Sequence, residues 1–389
     1  MDKGTIIYIG GFELPDKNAA AHRVLNNGKA LRELGYNVIF IDVDKSLPFN
    51  NKIMNSSRDM QGFECWSIPY PQVNKQWIHY LCNIDYFIEV TKKYNNIEAV
   101  ICYNYQSIAF MKIKKFCHKN NIKIMADCTE WYSTKGTSAV FKIIKGLDSF
   151  LRMRIIQKRL DGIIVISNYL EKYYKKYKNV IYIPPLIDLA EEKWERKFER
   201  CDDAKLQFVY AGSPGRDKDK LDLIIESLNK VDSDIKYVFK VVGITKEQYL
   251  IDYVEHKDII DRLNNRIEFL GRLSHLESIK QVKMSDFSIL IRENTRMTKA
   301  GFPTKFVESM SCGTPVISTR ISDLENYIID GENGFFININ DKENITSTLK
   351  KILVMNREEI NVLKKNCIKS NSFDYQNYID SVKQFLNNI

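Results

Sequence analysis

Two stretches of this chain open in the same way, and that repetition constrains its fold more than any other feature. The first is the apolar run TIIYIGG (Thr5 to Gly11), followed by a loop, the amphipathic stretch AHRVLNNGKALRELGY and the apolar run NVIFIDV. The second, LQFVYAGSPGR (Leu206 to Arg216), leads to LDLIIESLNKV and then YVFKVVG. Each reads as strand, glycine-bearing turn, helix and strand, with Gly35 stopping the first helix. Further strands are expected at Ala99 to Tyr103, Ile122 to Asp127, Gly162 to Ser167, Val180 to Pro184, Ile267 to Gly271 and Phe287 to Ile291. Apolar runs that alternate with helical segments imply parallel sheets covered on both faces. Between the halves, Ala190 to Lys205 is polar, highly charged and poor in strand formers, as a linker would be.

At 389 residues the chain exceeds what one core normally holds, and 44% hydrophobic residues suffice for two. No apolar run reaches the length of a membrane span, and the opening MDKGTIIYIG lacks the apolar region of a secretory signal, so a cytoplasmic protein is expected. The eight cysteines are scattered without CxxC or Cys/His clusters and read as reduced, buried small hydrophobes. The net charge of +9 is concentrated between Lys135 and Lys178, where Asp148, Asp161 and Glu171 are the acids. Within it, residues 139–160 place Phe141, Ile144, Leu147, Leu151 and Ile155 at helical spacing, flanked by Lys142, Lys145, Arg152 and Arg159. Such a helix either packs on its own domain or also meets an anionic membrane surface. No nucleic-acid motif accompanies the charge, and no nucleic-acid partner is expected.

The run GFPTKFVESMSCGTPVI (Gly301 to Ile317) reads as a backbone-dominated anion and ribose site. Gly301, Phe302 and Pro303 form a turn, Thr304 is the expected N-cap, and Phe306, Val307 and Met310 mark a short helix. Its free N–H groups would face a diphosphate. Glu308, one turn on, can accept from two vicinal hydroxyls. Gly313 then ends the helix, and Val316 and Ile317 begin a buried strand.

This run resembles the signature of glycosyltransferase family 4, in which an EGFP turn precedes a ribose-binding Glu, a CG or AG turn and PVI. The family has two glutamates with seven residues between them; here the second is Glu308 and the first position holds Ala300. Lys299, or Glu293 and Asn294, are the groups nearby in sequence that could substitute. The resemblance implies an α/β fold of the GT-B type, two Rossmann-like domains facing a central cleft. Residues 1–189 would be the acceptor domain, 190–205 the linker, 206–370 the donor domain, and 371–389 a helix crossing back to the first domain. It further implies that Ala300, Gly301, Phe302, Pro303 and Thr304 hold the donor sugar and phosphate, and that Gly212 and Ser213 approach the donor. An Arg and a Lys would grip the diphosphate, for which Arg216 with Lys218 or Lys220 is available. Arg272 and Leu273 would lie near the base.

In the first half, Gly11 suits close approach of a phosphate or acceptor, and Asn18, His22 and Arg23 are acceptor-side candidates. Where the family often carries a His-Asp pair, ADCTEWY offers Asp127 and Glu130 at a strand's end. Ser167 resembles the family serine beside the cleft, or is an ordinary helix cap. Three aspartate pairs match the DxD spacing of metal-dependent transferases: Asp42 and Asp44, Asp217 and Asp219, Asp232 and Asp234. Their contexts are wrong and the histidines show no ligand spacing, so no metal and no cofactor beyond the nucleotide-sugar donor is expected. The implied reaction is glycosyl transfer from a nucleotide sugar to a hydroxyl of a glycan or lipid-linked glycan, with retention. An epimerase or phosphorylase of the same architecture, or a non-catalytic partner, would share many of these features.

Overall fold

The computed structural model describes residues 3–49, 56–131, 139–195, 205–215, 218–232 and 234–389. They form two compact units, one of residues 1–188, 300–302 and 374–389, the other of residues 189–299 and 303–373. Most of the expected linker, residues 196–204, lies outside the described residues.

The first unit is built on eight strands: β1 (Thr5–Gly10), β2 (Asn37–Asp44), β3 (Arg58–Met60), β4 (Phe63–Pro69), β5 (Ile97–Tyr103), β6 (Lys123–Cys128), β7 (Gly162–Val165) and β8 (Asn179–Tyr182). Their order is β3-β4-β2-β1-β5-β6-β7-β8, and only β3 runs antiparallel to its neighbour. The chain steps outward from β1, then returns to lay β5 on its other side, which creates a topological switch point at the ends of β1 and β5. Ile6, Tyr8, Phe40, Phe63 and Ile101 are buried in the core beneath the helix Ala19–Glu33. As expected, that helix stops at Gly35, whose φ is +91°. The closing helix, Ile379–Asn387, packs on β8 and on the helix Ala19–Glu33.

The second unit has six parallel strands: β9 (Leu206–Ala211), β10 (Tyr237–Val242), β11 (Ile267–Gly271), β12 (Phe287–Leu290), β13 (Val316–Ser318) and β14 (Gly334–Phe336). Their order, β11-β10-β9-β12-β13-β14, puts the switch point between β9 and β12. Phe208, Phe239, Phe287 and Ile317 lie in its core. The strands β3, β4 and β14 were not anticipated. β3 and β14 have three residues each, too few for a periodic pattern, and FECWSIP in β4 is interrupted by Glu64 and ends on Pro69.

The basic segment departs from its expected single helix. An α-helix, Ala139–Phe150, passes into a π-helical turn, Leu151–Ile156, and then a 3₁₀ turn, Gln157–Arg159. The wider turn rotates the side chains that follow, so the face projected from α-helical spacing does not continue. Arg152, expected on the basic flank, is only 4% exposed and donates from Nη1 to the Asn104 carbonyl at 3.0 Å. Ile144 and Leu147, expected to pack, are exposed together with Ile143 and Phe150. Phe141 lies outside the described side chains. Among the described residues no helix is long and apolar enough to cross a membrane.

Candidate functional site

At the C-terminal ends of β9, β10 and β11 the second unit has a solvent-open cavity of about 770 Å³. Its floor is main chain. Gly212 follows β9, Gly243 follows β10 and Gly271 ends β11; Gly212 N–H donates to the Val242 carbonyl at 3.1 Å, and Gly243 N–H to the Gly271 carbonyl at 2.6 Å. Gly243 has φ +105°, and a β-carbon there would lie 2.5 Å from the Gly212 carbonyl carbon and oxygen. No side chain fits between these two strand ends. Gly212, Ser213, Arg272 and Leu273, all singled out from the sequence, line this one cavity. Tyr253, on its wall, stacks on Tyr249 with ring centres 4.9 Å apart, and the Tyr249 hydroxyl is 2.8 Å from His256 Nδ1. Neither the tyrosine wall nor Gly243 was anticipated.

The helix that carries the signature runs Thr304–Ser311. Thr304 is its first helical residue rather than its N-cap; Pro303 occupies the cap position and no side chain caps the helix. Proline has already fixed its own φ near the required value, so the chain turns into the helix without a hydroxyl. Glu308 is half-buried and its Oε1 lies 3.2 Å from His275 Nε2. A carboxylate with one oxygen on His275 retains capacity to accept further hydrogen bonds.

Beside the glycine floor stands a buried charged cluster. Asp219 is 1% exposed and is claimed by Lys305 Nζ at 2.7 Å, by Arg292 Nε, and by the Tyr210 hydroxyl at 2.5 Å. Burial opposes ionisation of Asp219, but Lys305 and Arg292 outweigh it and hold its carboxyl below the ordinary range. Burial, reinforced by Asp219, raises the Tyr210 phenol. Asp219 appeared in the sequence as half of a spurious metal pair, and Lys305 was passed over inside the signature itself. Of the residues expected to grip a diphosphate, Lys220 pairs with Glu293 at 2.9 Å, Lys218 is exposed, and Arg216 lies outside the described residues. Asn294 donates to the Arg320 carbonyl.

In the first unit two expected site residues prove to be interior. Asp127 was expected at the edge of a cleft; it is 0% exposed, held by Arg23 Nε and Nη2 at 2.8 to 3.0 Å, and bonded by the Tyr8 hydroxyl at 2.5 Å. Arg23, expected to face an acceptor, is 2% exposed and spends Nη1 on the carbonyls of Ile183 and Pro184. Burial penalises the guanidinium, but Asp127 more than compensates and raises its pKa. This pair therefore fastens the helix Ala19–Glu33 to the sheet. Asn18 caps that helix by accepting from Ala21 N–H at 2.8 Å, and His22 is half-buried on its first turn. Gly11 is exposed after β1. Glu130 is exposed past β6, accepting from Asn104 Nδ2 at 3.3 Å. Ser167 both caps the following helix and donates to the Ala300 carbonyl at 2.9 Å. Ala300 is fully buried, Phe302 nearly so, and Gly301 half-buried.

Among the described residues no group of three or more His, Cys, Asp or Glu is placed to hold a metal ion. Asp42, from another DxD match, is engaged by Arg58 and Ser67, and Asp44 by Ser46 and Arg58.

Residues 192–370 match the family model described as glycosyl transferases group 1. An uncharacterized glycosyltransferase of Methanocaldococcus jannaschii is 31% identical over 141 residues, which is 36% of this chain and 36% of that protein. Thus the chain matches little more than a third of that relative's length. Sucrose-phosphate synthase from Thermosynechococcus elongatus superposes over 99% of this chain and 98% of its own, with a TM-score of 0.73 at 15% identity. Anabaena HepE, in complex with UDP and glucose, covers 99% of this chain and 100% of its own, with a TM-score of 0.66 at 13% identity. Residues 192–370 are thus similar to the glycosyl transferases group 1 model, and the chain has the two-unit α/β fold of the GT-B type.

Proposed function

We propose that this chain is a retaining glycosyltransferase of family 4 that moves a sugar from a nucleotide-sugar donor to a hydroxyl of a glycan or lipid-linked glycan. The observation that carries this reading is the glycine-floored cavity at the C-terminal ends of β9 to β11, where α/β sheets bind nucleotides. Bare main chain admits a phosphate closely, and the wall of Tyr253, Arg272 and Leu273 suits a base. Glu308 would hold the ribose, and Arg216 with Lys218 or Lys220 the diphosphate. The turn Ala300 to Thr304 would face the donor sugar, and Gly11, after β1 of the first unit, is kept as a donor-side candidate. Departure of a nucleoside diphosphate develops negative charge, so fixed cations are the main catalytic requirement. Glu130, Asn18 and His22 remain the acceptor-side candidates. No divalent ion is required in this reading, because Asp42 and Asp219 are already held by cations.

Glu308→Gln is expected to weaken nucleoside diphosphate binding by about 1.5 to 3 kcal/mol, the scale of a hydrogen bond to a charged group. Calorimetric titration of UDP, ADP and GDP in the presence of a chelator measures it. Unchanged affinity in a folded variant removes Glu308 from the site, and a need for added divalent ion overturns the metal-free part. Donor bound but never turned over with any acceptor would make the chain a non-catalytic partner.

The reading extends to a cytoplasmic enzyme at an anionic membrane surface, supported by the exposed Ile143, Ile144, Leu147 and Phe150 on the helix that carries Lys142 and Lys145, and by Arg154, whose guanidinium lies 5.4 Å from the Phe150 ring centre. Arg154 takes the place first given to Arg152. Vesicles with anionic headgroups should co-sediment the protein while neutral ones do not, each cation contributing about 1 kcal/mol at the surface. Rising salt should release it. Ile143→Ser with Leu147→Ser should abolish the binding; equal binding to both vesicle types would refute it.

A further inference from the structure

Beside the cavity, Lys305 shares the carboxylate of Asp219 with Arg292. Lys305 is the second residue of the helix Thr304–Ser311, and its stem crosses Gly212: a β-carbon on Gly212 would lie 2.4 Å from Lys305 Cε. Its ammonium reaches Asp219 and the Tyr210 hydroxyl and lies 4.0 Å from the centre of the Tyr210 ring. Asp219 itself lines the cavity. Arg292 alone would balance the charge of Asp219, so Lys305 makes the cluster net positive. A surplus cation held largely out of water, as Lys305 is at 18% exposure, is costly unless something anionic meets it. An ammonium has three donors, and Asp219 and Tyr210 occupy two.

We infer that Lys305 is the cation that binds a phosphate oxygen of the nucleoside diphosphate, with Asp219 and Tyr210 as the positioning residues that aim it across Gly212. This rests on the donor-site reading above. The third N–H of the ammonium meets the phosphate, and the anion neutralises the surplus charge. Lys305 would act from the helix Thr304–Ser311 beside the cations of the loop after β9.

The surroundings also set a pH dependence. Burial lowers the Lys305 pKa to about 8, against the pull of Asp219 and with a further push from Arg292 and Lys218. Tyr210 faces it from β9, Lys218 and Asp219 from the loop after β9, and Arg292 from the segment after β12. The ammonium is charged below that pH and loses its proton as pH rises through it. Phosphates stay ionised there, their second pKa being about 6. Diphosphate affinity should therefore fall as pH rises past about 8.

The test is calorimetric titration of the full chain with UDP, ADP and GDP, and competition by the matching nucleosides, in wild type, Lys305→Gln and Lys305→Arg. For the diphosphate that wild type binds best, Lys305→Gln should lose roughly ten- to a hundredfold in affinity. Nucleoside affinity should change less than about twofold, Lys305→Arg should retain most diphosphate binding, and its affinity should not fall past pH 8. If wild type binds no nucleoside diphosphate, the donor-site reading fails and this inference with it. If wild type binds and Lys305→Gln binds equally, the inference alone is overturned. Equal loss of nucleoside and diphosphate would make Lys305 a structural prop, as would a wild-type affinity flat between pH 7 and 9.5, a readout that stands even where Lys305→Gln does not fold.

Discussion

Asp127→Ala should destabilise the first unit by about 3 to 5 kcal/mol, the cost of stranding one member of a buried ion pair. Arg23 would keep its charge with no carboxylate, 2% exposed and fixed by the carbonyls of Ile183 and Pro184, so it cannot swing out to water. Tyr8 would lose its acceptor in the same stroke. Burial, the largest influence raising the Tyr8 phenol, persists in the variant and opposes its ionisation in place of the lost anion. Asp127→Asn keeps the shape and reads the charge alone. Because a chain of two units need not unfold in one step, hydrogen exchange of the β1 and β6 amides is the fitting measurement. A loss below about 1 kcal/mol would mean that the pair does not fasten the helix Ala19–Glu33 to the sheet.

Gly243→Ala should be the second severe change, at about 2 to 5 kcal/mol in the second unit, together with loss of nucleotide binding. Two effects combine. The residue has φ +105°, which an L side chain rarely adopts, and its β-carbon would sit 2.5 Å from the backbone of Gly212. A flexible side chain could yield at that distance, but the neighbour here is the end of β9, which cannot move without opening the sheet. Gly331→Ala separates the two effects, since Gly331 has φ +80° and nothing within 4 Å of the added methyl. It should cost only the conformational strain, about 1 to 3 kcal/mol, and leave nucleotide affinity unchanged. Thermal unfolding and nucleotide titration of both variants check this, and equal effects would refute the steric account of the cavity floor.

The two alanine changes act in different units and through different physics, one electrostatic and one steric. In both cases the damage is large because the neighbour cannot relax. Arg23 is held by main-chain carbonyls, and Gly212 is held in the ladder by its N–H bond to Val242.

What the sequence determined by itself is whatever local chemistry dictates. Apolar runs of strand length separated by amphipathic stretches specified parallel sheets, because both faces of such strands must be covered. Gly35 marked a helix end, since a positive φ is easy only there for glycine. Glu308 was legible as a carboxylate one turn into the signature helix, and the family resemblance pointed to Gly212, Ser213, Arg272 and Leu273, which line the cavity. The tertiary structure alone decided which charges face which. Arg23 and Asp127 are 104 residues apart, and Lys305 and Asp219 are 86 apart; neither pairing leaves a trace in spacing or composition. A charged residue on a helix or at a strand end reads as solvated unless the opposing element is known, so Arg23 and Asp127 looked like exposed site groups when they were buried between the helix Ala19–Glu33 and the sheet. Arg152 turned inward for a related reason: a π-helical turn at Leu151–Ile156 changed the rotation per residue, and side-chain direction over that stretch depends on the packing that stabilises the turn.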